Sequence, residues 1–219
     1  MDVSEAVAAR ISVRAFLDRP VAGALVRDIL ERAARAPSGG NLQPWRVFAL
    51  AGGPLGAFKA KVAAGRMEAP EYAVYPPNLW EPFRTRRWEC GEDLYGAIGI
   101  GRDERPKRLA QLARNGGFFG APVGLFFCID RNLGPPQWAD LGMYMQTVML
   151  LALERGLDTC PQEYWANYPK LVAEFLGLPA AEMVFSGMAM GYRDKDASIN
   201  RWRTRRDPFE VWGEMRGFE

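Results

Sequence analysis

Arg10-Ile11-Ser12-Val13-Arg14 and, beyond one helix length, Ala36-Pro37-Ser38-Gly39-Gly40-Asn41-Leu42-Gln43-Pro44-Trp45 are the stretches from which this chain is best read. Side chains alternate faces along an extended segment, so Arg10, Ser12 and Arg14 project to one side. Two guanidiniums flanking a hydroxyl form a donor array suited to a phosphate, because arginine presents a planar fork of charge-assisted hydrogen bonds. A solvated charged edge would use the same residues. The second stretch is a loop by composition, and its small residues let the backbone approach a flat ligand closely. An ordinary helix-to-strand connection would carry them too.

Outward from these stretches the pattern alternates. Asp2 to Arg10 reads as a short helix. Leu25, Ile29, Leu30 and Ala33 recur at a helical period within Val21 to Ala36, which Pro37 stops. Arg46 to Ala51 reads as a buried strand closed by Gly52-Gly53-Pro54, with a helix from Leu55 to about Ala64 behind it. Met67 to Arg87 is rich in Pro, Tyr and Trp, too apolar for a disordered linker and too rich in proline for a helix; it reads as an ordered lid or excursion. Helical stretches follow at Arg87 to Ala97 and Glu104 to Arg114. Pro122 to Ile129 is a near-continuous apolar run, the signature of a strand covered on both faces. Trp138 to Arg155 is the longest helix candidate and is apolar on nearly every side, so it belongs in a core or against a partner. A short segment from Asp158, a helix at Tyr168 to Leu176 and a strand at Met183 to Met190 complete the pattern. Helices interleaved with strands indicate an α/β or α+β sheet protein, read as a single domain over residues 1–219 with an enlarged excursion at about 67–114.

The bulk composition narrows the function. A net charge of +2 argues against a dedicated nucleic-acid protein. Cys90, Cys128 and Cys160 are widely spaced, odd in number and without metal-ligand or redox spacing, which suits a reducing cytoplasm. No secretory pattern opens the chain and no apolar run reaches the roughly 18 residues of a membrane span. The expectation is therefore a cytoplasmic protein with no membrane partner. The chain contains no histidine, which excludes Ser-His-Asp and Cys-His catalysis and any imidazole-ligated metal. If it is an enzyme, a cofactor carries the chemistry.

Taken in order, the RxSxR segment and the Pro-Ser-Gly-Gly-Asn-x-Gln-Pro-Trp loop resemble the amino-terminal signature of the nitroreductase family, FMN enzymes that reduce nitro groups with electrons from NAD(P)H. Gly156-Leu157-Asp158-Thr159-Cys160-Pro161-Gln162-Glu163 resembles the family's Gly-Leu-x-x-x-Pro-x-Glu element, and Arg203-Thr204-Arg205-Arg206-Asp207-Pro208 its carboxyl-terminal Arg-Thr-x-Arg-x-Pro-like stretch. The resemblance implies that Arg10, Ile11, Ser12 and Arg14 hold the FMN phosphate and ribityl, Arg14 lying near the N1/O2 edge. It implies that Pro37, Ser38, Gly39 and Asn41 reach the cofactor bound mainly by the other subunit, while Gln43 and Trp45 shape the loop and pack. Pro161, Gln162 and Glu163 would lie against the flavin, a main-chain amide pointing at N5. Arg206, with Arg203 beside it, would close over the phosphate, and Asn115 would contact the flavin ring or ribityl. Read without the resemblance, Glu163 is a surface carboxylate, Cys160 a packed thiol, and Phe118 and Phe119 are core.

The fold so implied is the α+β nitroreductase type: a mixed central sheet flanked by helices, assembled as an intertwined homodimer with the helix from Trp138 in or beside the interface. The implied activity is FMN-dependent reduction of nitroaromatic compounds by NAD(P)H in a ping-pong mechanism, with no metal and with protons from water or substrate. Dehalogenation and enone reduction use the same scaffold. A protein binding polyanions through Arg201–Arg206 is the reading from a different class. Tyr72, Tyr75, Trp80, Phe83 and Trp88 either wall a pocket over the flavin or anchor a surface excursion. Arg84, Arg86 and Arg87 are candidates for the 2′-phosphate of NADPH.

Overall fold

The computed structural model describes residues 1–218. In chain order its helices and strands are α1 (Val3–Ala9), α2 (Gly23–Ala33), β1 (Arg46–Ala51), α3 (Gly52–Ala64), α4 (Phe83–Ala97), α5 (Arg105–Ala113), β2 (Val123–Asp130), α6 (Pro135–Glu154), β3 (Asp158–Gln162), α7 (Pro169–Leu176), β4 (Glu182–Gly191) and α8 (Phe209–Trp212). Four strands form one sheet in the order β1-β2-β4-β3, every pair antiparallel. A short parallel bridge, Ser12 to Thr159, adds the Arg10–Arg14 segment beside β3 and makes the assembly mixed.

The two-faced burial of the sheet follows from β2. Val123 to Ile129 are all buried, as the unbroken apolar run requires of an inner strand. Val123, Leu125, Phe127 and Ile129 enter a core with α2 and α6 (Val26, Ile29, Leu141, Tyr144 and Val148). Phe126 and Cys128 enter a second core with α3 and α7 (Leu55, Phe58, Val62, Leu171 and Val172). The period-two alternation of one strand thus divides the side chains between two helical layers. The second core is aromatic: the Phe58 ring sits 5.0 Å from Phe126, 5.2 Å from Trp165 and 5.0 Å from Phe175.

Three details differ from the sequence expectations. The strand at Arg46–Ala51 is an edge, paired only with β2, so it is half covered rather than buried. Gly52-Gly53-Pro54 does not close that strand in a loop but forms the first turn of α3. Gly52, at φ 54°, makes the abrupt change of direction, and Pro54 costs nothing where helix N–H groups lack partners anyway. The helix expected from Arg87 begins at Phe83, so the excursion contributes two helices, α4 and α5, to the rim. Its aromatic residues do not converge on one pocket. Tyr72 packs against Trp138 and Phe185 at the sheet, Trp80 against Phe83, and Trp88 beneath Arg102.

Close packing leaves no room at Gly187, where β4 crosses behind Trp165. A Cβ there would meet Trp165 Cδ1 at 2.3 Å and the Leu125 carbonyl at 3.1 Å, and Trp165 is itself fully buried. Gly187→Ala is expected to lower stability by about 3 kcal/mol, near the upper end of the usual cost of overpacking. Urea unfolding monitored by tryptophan fluorescence measures it, and an unchanged midpoint would show that the Trp165 layer yields.

Candidate cofactor site

The Arg10–Arg14 segment is extended because it is hydrogen-bonded on both sides. Val13 N–H donates to the Thr159 carbonyl of β3 at 3.0 Å, and Leu17 N–H donates to the Tyr192 carbonyl after β4 at 2.8 Å. Val13 and Ala15 are buried while the alternate residues remain partly open. Period-two geometry therefore turns Arg10, Ser12 and Arg14 toward a cavity of about 550 Å³, whose wall also holds Ile11, Gln146, Trp202, Arg203, Thr204 and Arg206. Residues almost 200 positions apart in the chain meet here.

The electrostatics of the cavity are one-sided. Among the described residues, the ion pairs of the Arg201–Arg206 stretch fall on Arg205, which reaches Asp93 at 3.0 Å and Glu89 at 3.9 Å; no carboxylate forms an ion pair with Arg10, Arg14, Arg203 or Arg206. Desolvation, and then repulsion from the Arg206 and Arg203 guanidiniums, holds Arg10 below the ordinary arginine range. Arg206 Nη1 donates to Thr204 Oγ1 at 2.6 Å and to the Arg205 carbonyl at 2.8 Å, and Arg203 donates to the Ala8 carbonyl. Neutral acceptors fix these side chains without cancelling their charge. Such a donor set fits a multiply charged, multi-oxygen anion such as a phosphate monoester.

The four arginines of Arg201–Arg206 do not make one basic face. Arg201 bonds the Asp196 carbonyl, Arg205 turns to the acids of α4, and only Arg203 and Arg206 enter the cavity. A continuous polyanion-binding strip is absent among the described residues. Arg86 is likewise paired with Asp207 and Arg84 with Glu81, while Arg87 lies over the Tyr75 ring.

The remaining predicted residues fall into two neighbouring groups outside the cavity wall. Pro161 and Gln162 end β3, only a few residues beyond the Ser12–Thr159 bridge, and Glu163 opens the following turn. Cys160, fully buried in that strand, feels the charges of Arg14, Glu163 and Arg10, so the turn adjoins the arginine cluster. Gln162 Nε2 donates to the Asn115 carbonyl at 2.9 Å and to Asn115 Oδ1 at 3.1 Å, which joins two of the predicted positions directly. Burial raises the Glu163 carboxyl above its ordinary range, although much of the residue still faces solvent. Phe118 and Phe119 are core, both at left-handed φ, and Cys160 is a packed thiol.

The second group is the Pro37–Trp45 loop. It is knit by its own bonds, Gln43 N–H to Ser38 Oγ at 3.0 Å and Asn41 N–H to the Ser38 carbonyl at 2.9 Å. Asn41 and Gln43 sit at φ 56° and 50°, a conformation that costs non-glycine residues energy and recurs at ligand-binding loops. Two contacts with α6 hold the loop: Gly39 N–H donates to the buried Asp140 Oδ2 at 3.2 Å, and Trp45 stacks on Tyr144 with centroids 4.9 Å apart. Asn41 and Gly39 are exposed on the protomer. Sequence reading missed Asp140 and Gln146. Their signal was present as polar residues interrupting an otherwise apolar helix.

Residues 7–192 match the Nitroreductase family. The chain belongs to that family. As a family member it is an oxidoreductase with the α+β nitroreductase fold. It is 38% identical to the 4-nitrobenzoate reductase of Pseudomonas putida over 220 aligned residues, covering 100% of this chain and 97% of that protein. The crystal structure of the FMN and NADPH-dependent nitroreductase NfnB from Sphigopyxis sp. strain HMH matches at a TM-score of 0.96 and 48% identity, with 100% of both chains covered. The FMN-dependent nitroreductase NfnB of Mycobacterium smegmatis, solved in complex with NADPH, matches at a TM-score of 0.91 and 27% identity over 98% of this chain and 100% of that one. Among the described residues no helix is long and apolar enough to cross a membrane.

Burial pushes the Cys160 thiol up to about 11 and the Cys128 thiol up to about 12, against an ordinary value of 9.0. Both groups are protonated in the fold where the unfolded chain would begin to ionise, so their contribution to stability is full below pH 9 and is lost as pH rises from there toward 11 to 12. Native protein at pH 8 is expected to react with a thiol reagent at the exposed Cys90 alone, and at all three cysteines once unfolded. Labelling of Cys160 without unfolding would mean that β3 opens locally.

Proposed function

We propose that this chain is an FMN-dependent NAD(P)H oxidoreductase that reduces nitroaromatic compounds by a ping-pong mechanism. The observation that carries the reading is the single cavity shared by Arg10, Ser12, Arg14, Arg203 and Arg206 with no carboxylate among them. Arg10, Ser12, Arg203 and Arg206 would hold the FMN phosphate, while Ile11 and Arg14 would lie along the ribityl toward the ring. Bound FMN supplies the electron and hydride transfer between a nicotinamide donor and the nitro acceptor.

The chain's own residues then act by binding and orientation. A fixed cation at Arg14 would favour negative charge on a neighbouring ring edge and so raise a bound flavin's reduction potential. Pro161, Gln162 and Glu163 present main-chain groups to the flavin, and the Gln162 amide holds Asn115 in the same region. Pro37, Ser38, Gly39 and Asn41 would complete the site of a second subunit, since in the protomer this loop is exposed and stands off the cavity. The working form is therefore a homodimer with two sites. Protons come from water or substrate. Residues 1–219 act as one unit, with 67–114 shaping access, in the cytoplasm.

Two relatives support the cofactor, the donor and the acceptor class: one is an FMN- and NADPH-dependent nitroreductase, another a 4-nitrobenzoate reductase. The purified protein is expected to be yellow, to bleach with NADPH in the absence of oxygen, and to recover its colour on addition of a dinitroaromatic. A colourless protein that takes up no FMN would overturn the proposal, and bleaching without recovery would reject the acceptor class. Arg10→Ala and Arg206→Ala are each expected to weaken FMN binding about 10- to 100-fold, the range of a lost charge-assisted contact, as measured by flavin fluorescence.

A further inference from the structure

The phosphate cradle is assembled from two chain ends, the Arg10–Arg14 segment and the Arg203–Arg206 segment, and one buried side chain stands between them. Asn200 is 5% exposed. Its Nδ2 donates to the Ala15 carbonyl at 2.7 Å and to the Asp194 carbonyl at 2.8 Å, and its Oδ1 accepts from Arg14 N–H at 2.8 Å. It closes the short turn Ser198–Asn200 that delivers the chain to Arg203 three residues later. The same Ala15 carbonyl also accepts Asp194 N–H at 3.1 Å, so the three segments are pinned at one point.

We propose that Asn200 is the positioning residue of the phosphate cradle: its amide sets the Arg10–Arg14 segment against the Arg203–Arg206 segment. This deepens the flavin reading above and rests on it. The chemistry favours asparagine in particular. Two carbonyls need donors and one N–H needs an acceptor, and a neutral primary amide supplies both without adding charge to a cationic site. Aspartate would set an acceptor against the carbonyls, and alanine would leave the Asp194 carbonyl and the Arg14 N–H without their partners, with the Ala15 carbonyl held by the Asp194 N–H alone. Arg14 cannot do this work with its own side chain, because its guanidinium turns back to the Ser12 carbonyl at 3.2 Å. The role is indirect, since Asn200 does not line the cavity. Because Arg10, Arg203 and Arg206 act on the phosphate and Arg14 alone lies toward the ring, their misplacement weakens binding through the phosphate more than binding through the ring.

FMN and riboflavin differ by that phosphate alone, so the ratio of their dissociation constants reads the cradle directly. The full chain, freed of flavin, is titrated with each by fluorescence, for the wild type and for N200A. The preference for FMN over riboflavin is expected to fall about tenfold in N200A, riboflavin affinity falling less than FMN affinity. N200S, which retains a small hydroxyl able to meet one of the partners, is the milder variant should N200A not fold, and the same ratio decides. FMN and riboflavin weakening together, with their ratio unchanged, would overturn the proposal and make Asn200 an ordinary structural residue. A variant equal to wild type in both would overturn it as well. A wild-type protein that held riboflavin as tightly as FMN would instead refute the phosphate reading, and with it the inference.

Discussion

Like charges have to be held together beside the edge of this molecule's sheet. Arg10, Arg14, Arg203 and Arg206 share one cavity without a carboxylate to relieve them, and like charges that share a site repel. Nothing local to either segment would keep them in place. The opposing work is done by backbone pairing to the rim of the sheet, by neutral acceptors on Ala8, Thr204 and Arg205, and by the Asn200 amide. The cluster favours an anion, and Arg10 is lowered first by burial and then by the Arg206 and Arg203 charges. A bound phosphate dianion would turn mutual repulsion into attraction, so cofactor binding and stability are linked.

A rigid base makes that arrangement possible. β2 is buried on both faces and divides its side chains between two cores, so the sheet is clamped between α2 and α6 on one side and α3 and α7 on the other. β3 and β4 then present their ends at fixed positions, and the arginine segment takes its line from Thr159 and Tyr192. Exposed features sit around this base: the Pro37–Trp45 loop, with Asn41 and Gln43 at positive φ, and the aromatic excursion. That division, a packed frame with ligand-facing loops upon it, is how many cofactor enzymes separate stability from chemistry.

α6 shows how a single helix serves both parts. Most of its residues pack, and Tyr144 carries the stack with Trp45. Its polar interruptions have separate tasks: Asp140 accepts from Gly39 of the loop, and Gln146 faces the arginine cavity. One helix thereby ties the loop that would reach toward a second subunit to the wall of the protomer's own site.

Much of this was legible in the residues. Apolar patterning located β2 and α6 as continuous apolar stretches and α2 by its helical repeat, because burial on all sides or on one face fixes which positions are apolar. The order RxSxR, Pro-Ser-Gly-Gly-Asn, Pro-Gln-Glu and the terminal arginines pointed to the family, and RxSxR with the terminal arginines supplied the residues that line both halves of the cavity. The edge position of β1, the first turn of α3 at Gly52-Gly53-Pro54 and the scattering of the excursion's aromatics were not legible, since each depends on what lies beside the segment rather than within it. Asn200 carried no signal at all. What the sequence determined by itself was the set of groups and their local geometry. Which arginines turn inward, which are neutralised by α4, and what holds the two chain ends together were decided by tertiary structure alone, because Coulomb forces and buried hydrogen bonds act through space, between residues the chain separates by nearly its whole length.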